Sequence, residues 1–194
     1  WELGYRFVPE HGFSLDIAGF VSEYDDLRGV VPESIEIFTD PAPGYVITHT
    51  RMVSSPSATA MGGELSARWQ PSSWLRLSGF YAYLDVEYGS DGAQGANADA
   101  LYYRHGMALR SELDVAQDWT MDASFHYHSP LVGLDAGGVE RLDMALRWQL
   151  RSDVELALVG QSLLHEDQSE FESPGWEMGT QVERTIFAMV RWGR

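Results

Sequence analysis

The run from Arg141 to Leu163, RLDMALRWQLRSDVELALVGQSL, constrains the fold more than any other stretch of the chain. In its first half Leu142, Met144, Leu146, Trp148 and Leu150 fall on one face at a period of two, and Arg141, Asp143, Ala145, Arg147 and Gln149 fall on the other. In its second half Val154, Leu156 and Leu158 oppose Glu155, Ala157 and Gln161, with Arg151-Ser152-Asp153 as a tight turn between the halves. Period two is the repeat of a β-strand, and so short a turn makes the two strands antiparallel neighbours. A helix would carry Trp148 away from Leu142 and Leu146. The unit is a hairpin with one apolar and one charged face.

The same unit recurs along the chain. Leu3, Tyr5 and Phe7 alternate with Glu2, Gly4 and Arg6, and Phe13, Leu15, Ile17, Gly19 and Val21 with Ser14, Asp16, Ala18 and Ser22. Residues 63–70, 103–115, 119–128 and 186–192 alternate likewise, and residues 75–88 read as a strand with apolar residues on both faces, which leaves its facing undecided by period alone. Nine strands result, with element ends good to roughly 2 to 4 residues. The connections strictly alternate between short, near 9–12, 71–74, 116–118 and 151–153, and long, near 25–51, 89–101, 129–138 and 164–181. The stretch 25–51 is acidic and rich in proline and reads as one large loop, although Ile35 to Phe38 and Tyr45 to Thr50 could extend the flanking strands.

Composition narrows the setting. With 29 acidic against 13 basic residues and a net charge of −16, the chain is a poor ligand for phosphate polyanions, so nucleic acid is not expected as a partner. It has no cysteine, which removes disulfides, thiolate metal sites and cysteine nucleophiles. No run of about 18 apolar residues is present that could form a transmembrane helix. The chain opens at Trp1 inside a strand, as a fragment would.

Short turns at one end and long loops at the other are what a transmembrane β-barrel shows, with strands of about 9 to 11 residues crossing the bilayer. Trp69, Trp148 and Trp192 end strands running toward the short turns, and Trp74 and Trp119 open strands leaving them, so all five are expected at one interfacial level. Tyr24, Tyr81, Tyr83 and Tyr127 are available for the opposite rim. The charged face must then line a lumen, because an Arg or Lys at lipid mid-depth costs about 2 to 4 kcal/mol. Asp85, Glu87 and Glu23 have the wrong parity but sit at the far ends of their strands. A soluble β-sandwich shares the alternation but not the loop asymmetry or the tryptophan level. An odd strand count leaves two edges, which lipid does not tolerate, so other strands are expected to complete the barrel. With the short turns periplasmic, the last strand descends and the C-terminus is periplasmic.

The segments WELGYRF, EYDDLRG, GGELSARWQPSSWLRLSGFYAYLD and LALVGQSLLHEDQSEF, followed by a final amphipathic strand, resemble the C-terminal part of the barrel of a TonB-dependent outer-membrane receptor. The resemblance implies an all-β fold in which residues 1–194 supply about nine antiparallel strands of a 22-stranded outer-membrane barrel, with a plug domain absent from this chain. It implies a receptor that takes up a scarce small-molecule substrate, such as an iron-siderophore or similar chelate, using energy passed by the TonB complex to a region outside these residues. Iron chelates, cobalamin, nickel complexes and oligosaccharides all stay open as substrates. Outer-membrane lipid and lipopolysaccharide are the surrounding partners. The alternative is a passive, porin-like channel of similar build. The chain departs from the family in having Ser162 where Asn is frequent, and Gly193 and Arg194 after the last aromatic.

Candidate sites are few. His126 and His128 lie two apart on the charged face and could hold a metal through imidazole nitrogens if a third ligand converged; the commoner reading is wet lumen residues. The acidic segment with His165, Glu166, Asp167, Glu170 and Glu172 lacks the spacing of a calcium loop and reads as a solvated loop, open to bridging by divalent cations to outer-leaflet phosphates. Tyr45, Tyr102, Phe171 and Trp176 are loop aromatics suited to a bulky ligand, or to packing the loops. With His126 and His128 they form the expected substrate contacts. No Ser, His and Asp are placed as nucleophile and base, so no catalytic residue and no cofactor is assigned.

Overall fold

The computed structural model describes residues 1–9, 12–54, 57–89, 102–132, 137–171 and 180–193. Its strands are β1 (Glu2–Phe7), β2 (Phe13–Tyr24), β3 (Arg28–Phe38), β4 (Tyr45–Ser54), β5 (Ala58–Ser72), β6 (Leu75–Tyr88), β7 (His105–Ala116), β8 (Trp119–His128), β9 (Val139–Arg151), β10 (Val154–Gln161), β11 (Asp167–Phe171), β12 (Thr180–Glu183) and β13 (Thr185–Trp192). Nine of them form one antiparallel sheet in the order β1-β2-β5-β6-β7-β8-β9-β10-β13, each paired with its neighbour in the chain apart from two excursions. The expected nine strands are these nine.

The excursions correct the reading of two long loops. Residues 25–51 are not a loop but most of a separate ribbon, β3 with β4, and within 164–181 the strand β11 pairs with β12. In the first ribbon a register shift between Pro32 and Ser34 leaves Glu33 as an extra residue. Before the shift Val30 and Pro32 pair with Met52 and Thr50; after it Ile35 and Ile37 pair with Thr48 and Val46. One bulge thus puts all eight uncharged side chains on a single face, since an added residue inverts the parity of everything after it. The opposite face carries the Glu33–Arg51 ion pair at 2.7 Å, the Glu36–His49 contact at 3.1 Å and the stacked Phe38 and Tyr45 rings.

Register settles the facing of β6. Leu77 pairs with Trp69 and Tyr81 with Leu65, so Leu77, Tyr81 and Tyr83 share the apolar face and Phe80, Ala82 and Leu84 the charged one. It also moves Tyr24, which pairs with Ala58 in line with Phe20 and Ser22, off the apolar face where a rim tyrosine was expected. Asp85, of unfavourable parity, is paired with Arg104 at 2.8 Å at the long-connection end of the sheet.

The tryptophans do not share a hydrogen-bonded row. The apolar row through Trp69 continues through Leu77, Ser111, Ala123, Met144, Gly160 and Ile186. Counted from that row toward the short turns, Trp74 is three residues away, Trp119 and Trp148 are four, and Trp192 is six. The drift across the six steps from β5 to β13 is therefore about one residue per strand. With a rise of about 3.3 Å per residue and strands about 4.8 Å apart, a single plane through all five needs strands tilted by roughly 35°. That lies within the tilt of membrane barrels. Trp119 and Trp148 meet directly as register partners, with rings stacked 5.2 Å apart.

The sheet has no enclosed core. Among the described residues the only hydrophobic side chains below a tenth exposed are Ala58, Ala60, Ala145 and Ala157, whereas Leu109 is 49%, Leu158 54% and Ile186 64% exposed. Leaving such side chains in water forfeits about 1.5 to 3 kcal/mol each. A sheet with one continuous apolar face and one charged face needs two different surroundings.

Candidate functional site

The charged face is a lattice of ion pairs, most of them between neighbouring strands and two, Arg110 with Glu112 and Arg141 with Asp143, within one strand. Arg6 pairs with Asp16, its register partner, and Arg147 with Asp122. Arg76 forks onto both Asp114 oxygens at 3.0 Å and reaches Glu112 at 3.1 Å, while Arg110 takes the other Glu112 oxygen at 2.9 Å. Arg141 donates to both oxygens of Asp143, whose Oδ1 also accepts from the Ser162 backbone N–H at 2.9 Å. Arg191 lies 3.5 Å from Glu155. All thirteen basic residues are arginine, whose planar fork suits this bracing better than a flexible lysine. Leaving aside Arg151 at the end of β9, the face carries seven arginines and eight carboxylates across the sheet. It is close to neutral in a chain of net charge −16. The excess falls on residues 23–57, 85–104, 129–140 and 164–184, which hold 18 carboxylates and 4 arginines. The wall is balanced, and the segments that connect its strands through the long connections are acidic in sequence.

A concavity of about 610 Å³ opens on this face between β5 and β10, with Arg68, Phe80, Arg110, His126, Asp143 and Gln161 on its walls. Small residues make the space: Ser66, Ser78, Ala108 and Ser124 sit where larger side chains would fill it. A second hollow, of about 290 Å³, adjoins it and is lined by Arg68, Arg76 and Arg110 against the single carboxylate Glu112. Neither Arg68 nor Phe80 was singled out from the sequence. The parity of Phe80 follows only once Leu77 is paired with Trp69 across the Ser72–Leu75 turn.

The expected contact residues do not form one cluster. His126 and His128 both lie on the charged face, as expected, His126 opposite Arg141 and Ala108, and His128 opposite Gly106. The His128 ring packs at 4.8 Å on Tyr103. No third ligand converges on them: among the described residues no group of three or more metal-ligating side chains occurs. Tyr45 stacks on Phe38 with ring centroids 4.8 Å apart at the tip of the β3-β4 ribbon. Tyr102 holds the sheet end instead of pointing free, its hydroxyl accepting from the Val86 N–H at 3.2 Å. The same hydroxyl, followed by the Asp85 carboxylate, raises the pKa of Arg104 above its ordinary value. Phe171 ends β11, with its side chain outside the described residues, and Trp176 lies outside them altogether.

At the long-connection end of the apolar face, Tyr81, Tyr83 and Tyr127 form the rim expected opposite the tryptophans, joined by His105. The Tyr81 hydroxyl and His105 Nδ1 are 2.8 Å apart, and the Tyr83 ring lies 5.2 Å from His105. Two aromatic bands bounding an apolar belt, with a charged face behind it, define the wall of a transmembrane β-barrel. The chain belongs to the TonB dependent receptor-like β-barrel family, whose model matches residues 1–176. No curated protein matches the chain.

Solved structures agree on the fold. The siderophore receptor PiuA from Acinetobacter baumannii superposes with a TM-score of 0.73 at 17% identity, covering 98% of this chain and 28% of PiuA. The ferric yersiniabactin uptake receptor FyuA from Yersinia pestis gives 0.73 at 15% identity, covering 98% and 29%. The ferric-catecholate import receptor Fiu from E. coli K12 gives 0.71 at 15%, covering 97% and 26%. The chain thus spans less than a third of the length of each. The family is one of outer-membrane barrels, and these neighbours are transport receptors.

Proposed function

We propose that residues 1–194 are the C-terminal portion of the barrel domain of an outer-membrane receptor that takes up a scarce small-molecule substrate with energy supplied through TonB. One observation carries this reading: a nine-stranded meander with a lipid face and a balanced, charged lumen face, on the architecture of the receptor barrels above. In this reading further strands close the barrel from β1 round to β13, a plug occupies the lumen, the short turns and the C-terminus face the periplasm, and the acidic long connections face outward beside lipopolysaccharide. His126 and His128 stand on the upper lumen wall, where substrate descending from loops bearing Tyr45, Tyr102, Phe171 and Trp176 meets them. The named neighbours favour a ferric siderophore-like chelate as substrate.

The test is uptake of radiolabelled iron chelates by cells producing the complete protein, with and without a working TonB system. Uptake confined to TonB-competent cells supports the proposal. Uptake of equal rate in both, scaling linearly with concentration, replaces it with the passive channel.

A further inference from the structure

Leaving aside Arg151, where β9 ends at its turn, one arginine on the charged face of the sheet lacks a carboxylate partner. Arg6, Arg76, Arg110, Arg141, Arg147 and Arg191 are all ion-paired, whereas Arg68 has no acidic partner among the described residues. Arg68 lies in a single lumen-facing row, Ser14-Arg68-Ser78-Arg110-Ser124-Asp143, running across six strands. Two strand spacings place the Arg68 and Arg110 backbones about 10 Å apart, with only the short side chain of Ser78 between them. Both arginines line both hollows, and in the smaller one they stand with Arg76 against Glu112, whose charge Arg76 and Arg110 already share.

We infer that Arg68 and Arg110, astride Ser78, form a carboxylate-binding cradle on the lumen wall. An unpaired guanidinium beside a second one, facing a hollow of small residues, takes a planar oxyanion bidentately. The inference rests on the reading of the charged face as a lumen. The carboxylate can arrive on a solute or on polypeptide that occupies the lumen, and the two sources give different results.

This chain has no cysteine, so any thiol elsewhere in the complete protein is first replaced by alanine. Ser78→Cys is introduced into the complete protein, and its modification rate is measured with anionic and cationic methanethiosulfonate reagents of similar size, with Arg, Lys, Gln or Glu at position 68. One uncompensated charge some 7 Å away in water changes each rate about threefold, in opposite directions. If the cradle is open to solutes, Ser78→Cys prefers the anionic reagent, Arg68→Gln removes the preference, Arg68→Lys keeps it, and citrate slows the reaction. If the polypeptide supplies the carboxylate, Ser78→Cys is protected and becomes reactive in Arg68→Glu. Equal rates with both reagents, or protection that ignores residue 68, overturns the cradle. Ala108→Cys and Leu109→Cys, on opposite faces, separate its failure from failure of the lumen reading, in which Ala108→Cys would react no faster than Leu109→Cys. Each variant is first checked for the heat-dependent gel shift of a folded barrel.

Discussion

Ser162 shows how one backbone angle explains a departure from the family pattern. Its φ of 53° lies in the left-handed region, where glycine and asparagine are tolerated better than other residues, and its backbone N–H is tied to Asp143. Serine there holds a strained conformation worth about 1 kcal/mol. Ser162→Gly keeps the N–H and relieves the strain, so the unfolding temperature of the complete protein should rise by a few degrees on heat-modified gels. Asp143→Ala removes the acceptor of that N–H and the partner of Arg141 together, and it should lower stability by about 2 kcal/mol or more. Asp143→Asn keeps an acceptor and should recover part of the loss. If Asp143→Asn and Asp143→Ala are equally harmful, the ion pair rather than the Ser162 hydrogen bond sets the stability.

Face assignment is also decided residue by residue. Leu158 lies on the apolar face between Leu146 and Ala188, and Ser124 on the charged face between Arg110 and Asp143. Leu158→Arg should cost about 2 to 4 kcal/mol in folding into bilayers, while Ser124→Arg, kept in water, should cost under about 1 kcal/mol. Denaturant titration of both variants in liposomes reads the difference, and equal costs would contradict the two-solvent wall.

At the scale of elements, the β3-β4 ribbon depends on its bulge. Removing Glu33 deletes the extra residue, so Ile35 and Ile37 move to the side that carries His49 and Arg51. An isolated two-stranded ribbon is marginal in water, and mixing its faces takes away the order that remains. Deletion of Glu33 should therefore raise the rate at which external protease cuts the ribbon on intact cells severalfold, with no change in barrel assembly. Substitution of Glu33 by Ala, which keeps the residue count and loses only the exposed Arg51 pair, should change the rate little. The sequence displayed the proline and acid content of this segment but hid the ribbon, because the bulge breaks the period of two that announces a strand.

For the whole molecule, charge is partitioned by position. The charged face is nearly neutral, whereas the long connections and the strand ends beside them hold 18 carboxylates against 4 arginines in sequence and, on the proposed reading, form the outer mouth. Such a mouth concentrates cations and repels anions over about a Debye length, roughly 10 Å at 0.1 M salt. The association rate of a cationic fluorescent probe with cells producing the complete protein should fall several-fold between 10 and 200 mM salt, whereas a neutral probe should not respond.

Period two, the alternation of short with long connections, and the tryptophans near the turns are local properties of consecutive residues. By themselves they determined nine antiparallel strands, the two faces of most of them, and the membrane class. Only the tertiary structure decided matters that need two strands at once. The facing of β6 required its register against β5, since both of its faces are apolar. The tilt needed the tryptophans counted along hydrogen-bonded rows, and several partners of the charged-face arginines came from the adjacent strand, as Arg147 with Asp122 and Arg76 with Glu112 show. His126 and His128 were legible as lumen residues, but Arg68 was not distinguishable from its neighbours. A charge announces itself in sequence, whereas its lack of a partner is a property of the space around it.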